Sequence, residues 1–392
     1  MMTSSYLSIP APYQPFEMIN DPGTHSCRYT MKASDLTMMR YLQDLHQAET
    51  PAPVAQTPKY HTGRLPNSRA QDGKPRLMLM GQKRSGKSSI SSVVFHKLPP
   101  SETLYLETTT HITKYSVHSI LDFAIYDLPG HINYLDDAYD DEATFGEVDA
   151  VIWVIDAQDE YLDAINALNR TVLILQSRFP TINVEVFVHK VDGLSEDYKS
   201  DTFRDIIQRV QDELSDAGYD NAPVSFYQTS IFDDSIFEAF SKVIQKLIPQ
   251  LPTLESLLNS LCSNCRIEKA YLFDVLSKIY IATDTSPTDI GSYEICSGYI
   301  DVVVDISEIY GWDRPTENGH TADEDTEDGM QDGESLITME KKGNNYLYLR
   351  EINKYLALIC LMGEDSNSEK KVLIDYNVGV FKEALSKIFP GA

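Results

Sequence analysis

The sequence predicts a doubly wound α/β domain with a mostly parallel sheet, followed by a smaller α+β domain. Three observations carry that reading. Short, almost continuously apolar runs alternate with helical stripes from Arg76 onward, the pattern of a sheet covered on both faces. The first run ends in Gly81-Gln-Lys-Arg-Ser-Gly86-Lys87-Ser88, a glycine-rich loop between strand and helix. The alternation stops at Pro249-Gln-Leu-Pro252, because proline cannot continue a helix, and another pattern begins.

Residues 1–75 hold nine of the 19 prolines, including PAPVAQTP at Pro51–Pro58, and read as mostly disordered. Within them Leu36, Met39, Leu42 and Leu45 make one helical stripe over Ser34–Gln47, a transient helix or a docking helix for a partner groove. The α/β domain spans 76–250. Its strands are RLMLM (Arg76–Met80), LDFAIYD (Leu121–Asp127), AVIWVID (Ala150–Asp156), VEVFVHK (Val184–Lys190) and VSFYQTS (Val224–Ser230). Phe203, Ile206, Ile207, Val210 and Leu214 form one helical stripe. Ile236, Phe237, Phe240, Val243, Ile244 and Leu247 form another. In the second domain, 253–392, Leu254–Leu261 reads as helix, Ala270–Ala282 as one strand and Tyr293–Ile309 as helix. Ser335–Lys341 and Tyr346–Arg350 read as a hairpin about Gly343-Asn-Asn345, Tyr355–Met362 as a strand and Glu369–Phe389 as a closing helix.

The chain has 392 residues and a formal net charge of −26. Such an acidic surface repels nucleic-acid phosphates and anionic lipid, so no nucleic-acid partner and no direct membrane insertion are expected. Nine carboxylates and one arginine crowd into Asp313–Glu334, an acidic loop insertion. Five widely spaced cysteines do not make a disulfide framework, which suits a reducing compartment. The Cys262–Cys265 pair lacks further nearby zinc ligands and reads as two half-buried helical thiols. No signal-peptide pattern, membrane span or lipidation motif is legible, so any membrane location is expected to come through partners.

The chemistry lies in ordered motifs at strand ends. In Gly81–Ser88 the glycines let backbone N–H groups of Lys83, Arg84, Ser85 and Gly86 turn toward phosphate oxygens. The helix that follows, from Lys87, Ser88 and Ser89, adds its positive dipole end. Lys87 is expected to reach the β- and γ-phosphates and Ser88 to ligate Mg²⁺. Asp127-Leu-Pro-Gly130 is a D-x-x-G: Asp127 holds Mg²⁺ through water and the Gly130 N–H meets the γ-phosphate. His189-Lys190-Val191-Asp192 ends a later strand. The Asp192 carboxylate can accept from guanine N1–H and the exocyclic amine, a donor pair adenine lacks, while the Lys190 stem lies along the base. Thr229-Ser230-Ile231 supplies backbone to cover guanine O6. Ligands of open α/β sheets bind at this edge. In Glu102–Thr110, Thr109, with Thr108 as the alternative, is the switch I residue for Mg²⁺ and the γ-phosphate.

GQKRSGKSSI, VVFHK, ETLYLE, VIDAQDEY, EVFVHKVDGLS, TSIFDDSIFEAFSKVIQKLIPQLPTLE and IEKAYLFDVLSKIYIATDTSP together resemble the Rag GTPases, specifically the RagC/RagD (fungal Gtr-type) branch. HKVD in place of NKxD is itself a feature of that family. The resemblance implies a P-loop small-GTPase domain followed by a roadblock (longin-like) domain. It implies slow GTP hydrolysis dependent on an activating protein, with GTP/GDP and Mg²⁺ as cofactors. It also implies a heterodimer with a RagA/RagB-type subunit, held on the lysosomal or vacuolar surface by a Ragulator/EGO-type scaffold. That dimer relays amino-acid sufficiency to the target-of-rapamycin kinase complex. One departure stands out. The family carries Gln after D-x-P-G, whereas this chain has His131, as in the D-x-P-G-H of translational GTPases. His131 is the candidate water-positioning residue. The alternative is a nucleotide-loaded scaffold with negligible turnover. A P-loop kinase would need an Arg-rich lid, which the sequence does not show.

Overall fold

The computed structural model describes residues 17–20, 27–31, 75–117, 123–130, 144–219, 222–288, 290–309, 334–339, 345–353, 355–362 and 371–388. Two short strands come first, β1 (Glu17–Asn20) and β2 (Cys27–Met31). The α/β unit then runs β3 (Arg76–Gly81), α1 (Lys87–His96), β4 (Thr113–Val117), β5 (Phe123–Asp127) and β6 (Ala150–Asp156). It continues as α2 (Leu162–Arg178), β7 (Asn183–His189), α3 (Glu196–Asp216), β8 (Val224–Thr229) and α4 (Ser235–Lys246). The second unit adds α5 (Leu251–Cys265), β9 (Ile267–Asp274), β10 (Tyr280–Thr283) and α6 (Ile290–Ile309). It ends with β11 (Glu334–Met339), β12 (Asn345–Glu351), β13 (Leu356–Met362) and α7 (Lys371–Ile388). By contacts, Phe273–Ala282 groups with the α/β unit.

The first sheet has the order β4-β5-β3-β6-β7-β8. All its pairs are parallel except β4 with β5. Leu77, Met78 and Leu79 on β3, and Val151 and Ile152 on β6, are wholly buried, so the apolar runs fill both faces. Burying such a side chain stabilises the fold by about 1.5–3 kcal/mol. On one face Phe240 of α4 meets Phe95 of α1 at 5.2 Å and Phe187 of β7 at 5.3 Å between ring centres, both edge-on. These rings fix α1, and with it the loop before it, against the sheet. The register aligns Asp156 with His189 and His189 with Thr229 at the strands' C-terminal edge. Gly81 and Asp127 end neighbouring strands at the same edge.

Three elements differ from the sequence reading. Thr113–Val117, not read as strand, forms β4; its polar Lys114 and Ser116 alternate with Tyr115 and Val117, as suits an edge strand. The single strand expected over Ala270–Ala282 is two, β9 and β10. The chain turns where Asp274 Oδ2 accepts from the Ser277 N–H at 2.9 Å and Lys278 takes a left-handed φ of 59°. No glycine or proline announces that turn. Nine residues of the N-terminal extension pair as β1 and β2 rather than staying unstructured. They join the second sheet, of order β1-β2-β11-β12-β13-β9-β10, by β2 running parallel to β11. The Ser34–Gln47 stripe, His131 and the acidic insertion up to residue 333 lie outside the described residues. Among the described residues no helix is long and apolar enough to cross a membrane.

Candidate nucleotide-binding site

The loop from Gly81 to Ser88 wraps around one ammonium. Lys87 Nζ donates to Gly81 O at 2.9 Å and Gln82 O at 2.8 Å, which holds the loop as a closed cradle. Gly86 has a φ of 107°, and a Cβ there would lie 2.6 Å from the His189 ring, so only glycine fits. Lys83 and Arg84 are exposed on the loop, Ser85 is buried, and Ser89 follows in α1. Gly130 packs against the loop as well: a Cβ would stand 2.5 Å from the Lys83 nitrogen. The D-x-x-G turn and the loop therefore touch through backbone.

Ser88, Thr109 and Asp127 converge. Ser88 Oγ donates to Asp127 Oδ2 at 2.6 Å and lies 2.6 Å from Thr109 Oγ1. Thr109 Oγ1 also reaches Asp127 Oδ2 at 3.4 Å. Thr108, the alternative switch residue, is exposed and makes none of these contacts. Asp127 is wholly buried, and its Oδ1 has no hydrogen-bond partner. Burial raises its carboxyl above the usual range, while the Ser88 bond, the Lys87 charge and the Thr109 bond pull it back. An orphaned carboxylate oxygen beside two hydroxyls is an oxygen-only donor set, and such a set suits a hard divalent cation such as Mg²⁺.

At the C-terminal end of β7, His189 is buried, with Nδ1 at 3.0 Å from Thr229 Oγ1. Burial, then the Lys190 charge, lowers its imidazole from 6.5 to about 4, so it is neutral at pH 7. The folded value lies below the unfolded one, so the unfolded chain binds more protons between those two values. Stability should therefore fall by about 1.4 kcal/mol per pH unit as pH drops through the window. Urea titrations from pH 7 to 4.5 should show that slope reduced in His189→Asn; equal slopes would sink the assignment.

Asp192 is exposed, and its Oδ1 accepts from buried Ser230 Oγ at 2.6 Å. Ser230 Oγ also accepts from the Phe232 N–H at 3.0 Å, and Ile231 is buried beside it. Lys190 Nζ donates to Arg84 O at 2.8 Å and to Asp156 Oδ2 at 2.5 Å. Sequence reasoning missed Asp156 and Gln158. Both stand in VIDAQDEY, but nothing local in that run marks them as partners of a loop 32 residues away or more.

A model of the Gtr1/RagA G protein conserved region matches residues 76–300. The chain is 55% identical over 317 residues to the GTP-binding protein gtr2 of Schizosaccharomyces pombe, covering 81% of this chain and 98% of that protein. It is 52% identical to human Ras-related GTP-binding protein C, over 82% of this chain and 78% of that one. The chain belongs to the Gtr/Rag family of G proteins, on its RagC/RagD and Gtr2 branch. A more distant relative, GTR1 of Saccharomyces cerevisiae, is 26% identical over 48% of this chain and 61% of its own length. Membership in this GTP-binding family implies that the chain binds a guanine nucleotide. The mixed parallel sheet with its flanking helices is the P-loop GTPase fold.

Proposed function

We propose that this Rag-type G protein is a signalling switch that binds GTP and hydrolyses it slowly to GDP and phosphate, with help from an activating protein. The meeting of Ser88, Thr109 and Asp127 carries the reading, because it ties switch I and the D-x-x-G strand to the phosphate loop. Ser88 and Thr109 would hold Mg²⁺ directly and Asp127 through water; the bound ion would neutralise charge on the β- and γ-phosphates. In this reading Lys87 reaches the same phosphates, and the Gly130 N–H meets the γ-phosphate; the close packing of Gly130 on the phosphate loop supports that. Asp192, fixed by Ser230, selects guanine. A γ-phosphate orders Thr109 and Gly130, and its loss releases them, so partners read two states.

The second unit supports a partner role. Its β11, β12 and β13 form an antiparallel meander next to β9 and β10. This suits a roadblock-like dimerisation domain. The partner is a RagA/RagB-type subunit, and the family contains such a class of relative. In this reading the heterodimer sits on the lysosomal or vacuolar surface through a Ragulator/EGO-type scaffold and relays amino-acid sufficiency to the target-of-rapamycin complex.

Co-expression with a RagA-type subunit, then mass measurement and identification of bound nucleotide, tests the reading. The expected result is a one-to-one heterodimer carrying guanine nucleotide. ATP displacing GTP at equal concentration, or a stable lone monomer, would sink it. Single-turnover hydrolysis that stays absent with and without an activating protein would favour a nucleotide-loaded scaffold. Chelation with EDTA should speed GDP release about tenfold or more, as expected when an ion neutralising the phosphates is removed. Ser88→Ala should reproduce much of that acceleration in Mg²⁺ buffer.

A further inference from the structure

We propose that Asp156 and Gln158 are positioning residues that lock the guanine loop onto the phosphate loop and thereby set how long nucleotide stays bound. The proposal rests on the guanine-switch reading above and deepens it.

Arg84 in the phosphate loop and Lys190 in the guanine loop both take left-handed conformations, with φ of 67° and 63°. Each costs free energy for a residue with a Cβ, so each persists only where surrounding contacts over-determine it. One ammonium joins the two strained residues: Lys190 Nζ donates to Arg84 O at 2.8 Å. That reach is fixed from the far side by Asp156, whose Oδ2 takes the same ammonium at 2.5 Å. Gln158 holds the other end of Lys190, with its Nε2 donating to Lys190 O at 2.7 Å. Gly193 lies flat against the Gln158 amide, and a Cβ there would stand 2.2 Å from Gln158 Nε2. Asp156 also orients its neighbour, because its Oδ1 accepts from the Gln158 N–H at 2.9 Å. A main-chain bond from Ala157 N to His189 O, 2.9 Å, closes the circuit between the ends of β6 and β7.

The consequence is mechanical. The phosphate loop and the guanine loop grip opposite ends of one nucleotide, and release needs them to part. Asp156 and Gln158 act through Lys190, whose ammonium and carbonyl they hold. A partly buried, charge-assisted bond of this kind resists parting more than an exposed surface pair does. Asp192 keeps its own anchor in Ser230, so base choice is held separately from residence time.

Release of a fluorescent GDP analogue in Mg²⁺ buffer, measured on this chain co-expressed with its RagA-type partner and corrected for release from that partner, tests this. Asp156→Ala should release it roughly 10- to 100-fold faster, the range for loss of one charge-assisted hydrogen bond. Asp156→Asn keeps an acceptor for Lys190 and should stay within about threefold of wild type, a rescue a merely structural role would not give. Gln158→Leu should accelerate release about three- to tenfold. Lys190→Met should be as fast as Asp156→Ala, and the double variant no faster than Lys190→Met alone. Unchanged release in Asp156→Ala, equal acceleration in Asp156→Asn, or additive effects in the double variant would each overturn the tether while leaving the guanine switch standing. A wild-type chain that holds no GDP would overturn both.

Discussion

Replacing Asp192 with asparagine is expected to turn a guanine site into a xanthine site. Asp192 lies in the short turn Val191–Gly193 that follows β7, and Ser230 Oγ pins one carboxylate oxygen at 2.6 Å. That pin sets the rotamer of an exposed carboxylate, which in the proposed reading faces the base. Guanine offers two donors side by side, N1–H and the exocyclic amine, and a carboxylate accepts both. Each bond to a charged group contributes about 1.5–3 kcal/mol. Asparagine keeps one acceptor and sets an amide N–H against the guanine amine, so two donors face each other. Xanthine carries a carbonyl in place of that amine and accepts the amide N–H. GTP affinity should fall roughly 100-fold or more, and XTP should outcompete GTP. Displacement of labelled GDP by GTP and XTP measures this; retained GTP preference in Asp192→Asn would overturn the role given to Asp192. Ser230→Ala should cost only about three- to tenfold, because it frees the carboxylate without removing it.

The parts of this site that were legible in the sequence are those whose chemistry is local. Gly81–Ser88 must follow a strand and open a helix, and both neighbours can be read from apolar periodicity. Asp127 and His189–Asp192 follow the same rule, each ending an apolar run. Thr109 was half legible: the sequence favours it but leaves Thr108 open as the alternative. The choice comes from the chain path, which brings the Thr109 hydroxyl to Ser88 and leaves Thr108 exposed. Asp156 and Gln158 were illegible because strand register makes their role. The pairing of β6 with β7, which sets Asp156 against His189, brings the ends of the two strands together. In the second unit, β9 and β10 were fused because their turn is made by an aspartate acceptor and a left-handed lysine, neither of which is a strong breaker. Composition hid β1 and β2, since a proline-rich context outweighs two strands of four and five residues.

Lys87 is expected to show opposite pH slopes in binding and in folding. Burial lowers its ammonium from 10.5 to about 8, and nearby Asp127 offsets part of that shift. Only 6% of the residue is exposed. In the nucleotide-free chain the proton is therefore lost as pH rises through about 8. Phosphates bound against the ammonium keep it charged, so above that pH association must take up a proton. Affinity should fall about tenfold per pH unit there. For folding the sign reverses. The folded value lies below the unfolded one, so between about 8 and 10.5 the unfolded chain binds more protons. The cost of burying the charge disappears as pH rises, and the nucleotide-free chain should gain up to about 1.4 kcal/mol per unit across that window. Lys87→Ala should weaken GTP roughly 100-fold or more at pH 7, since two or more charge-assisted contacts to phosphate are lost. It should also flatten both slopes. Nucleotide titrations and urea unfolding at pH 7.5, 8.5 and 9.5, run on both chains, measure the pair of slopes. Parallel loss of affinity in wild type and Lys87→Ala would mean that another group carries the proton. One side chain with both slopes would show that the cradle holds a strained charge in the empty site and uses it to grip phosphate.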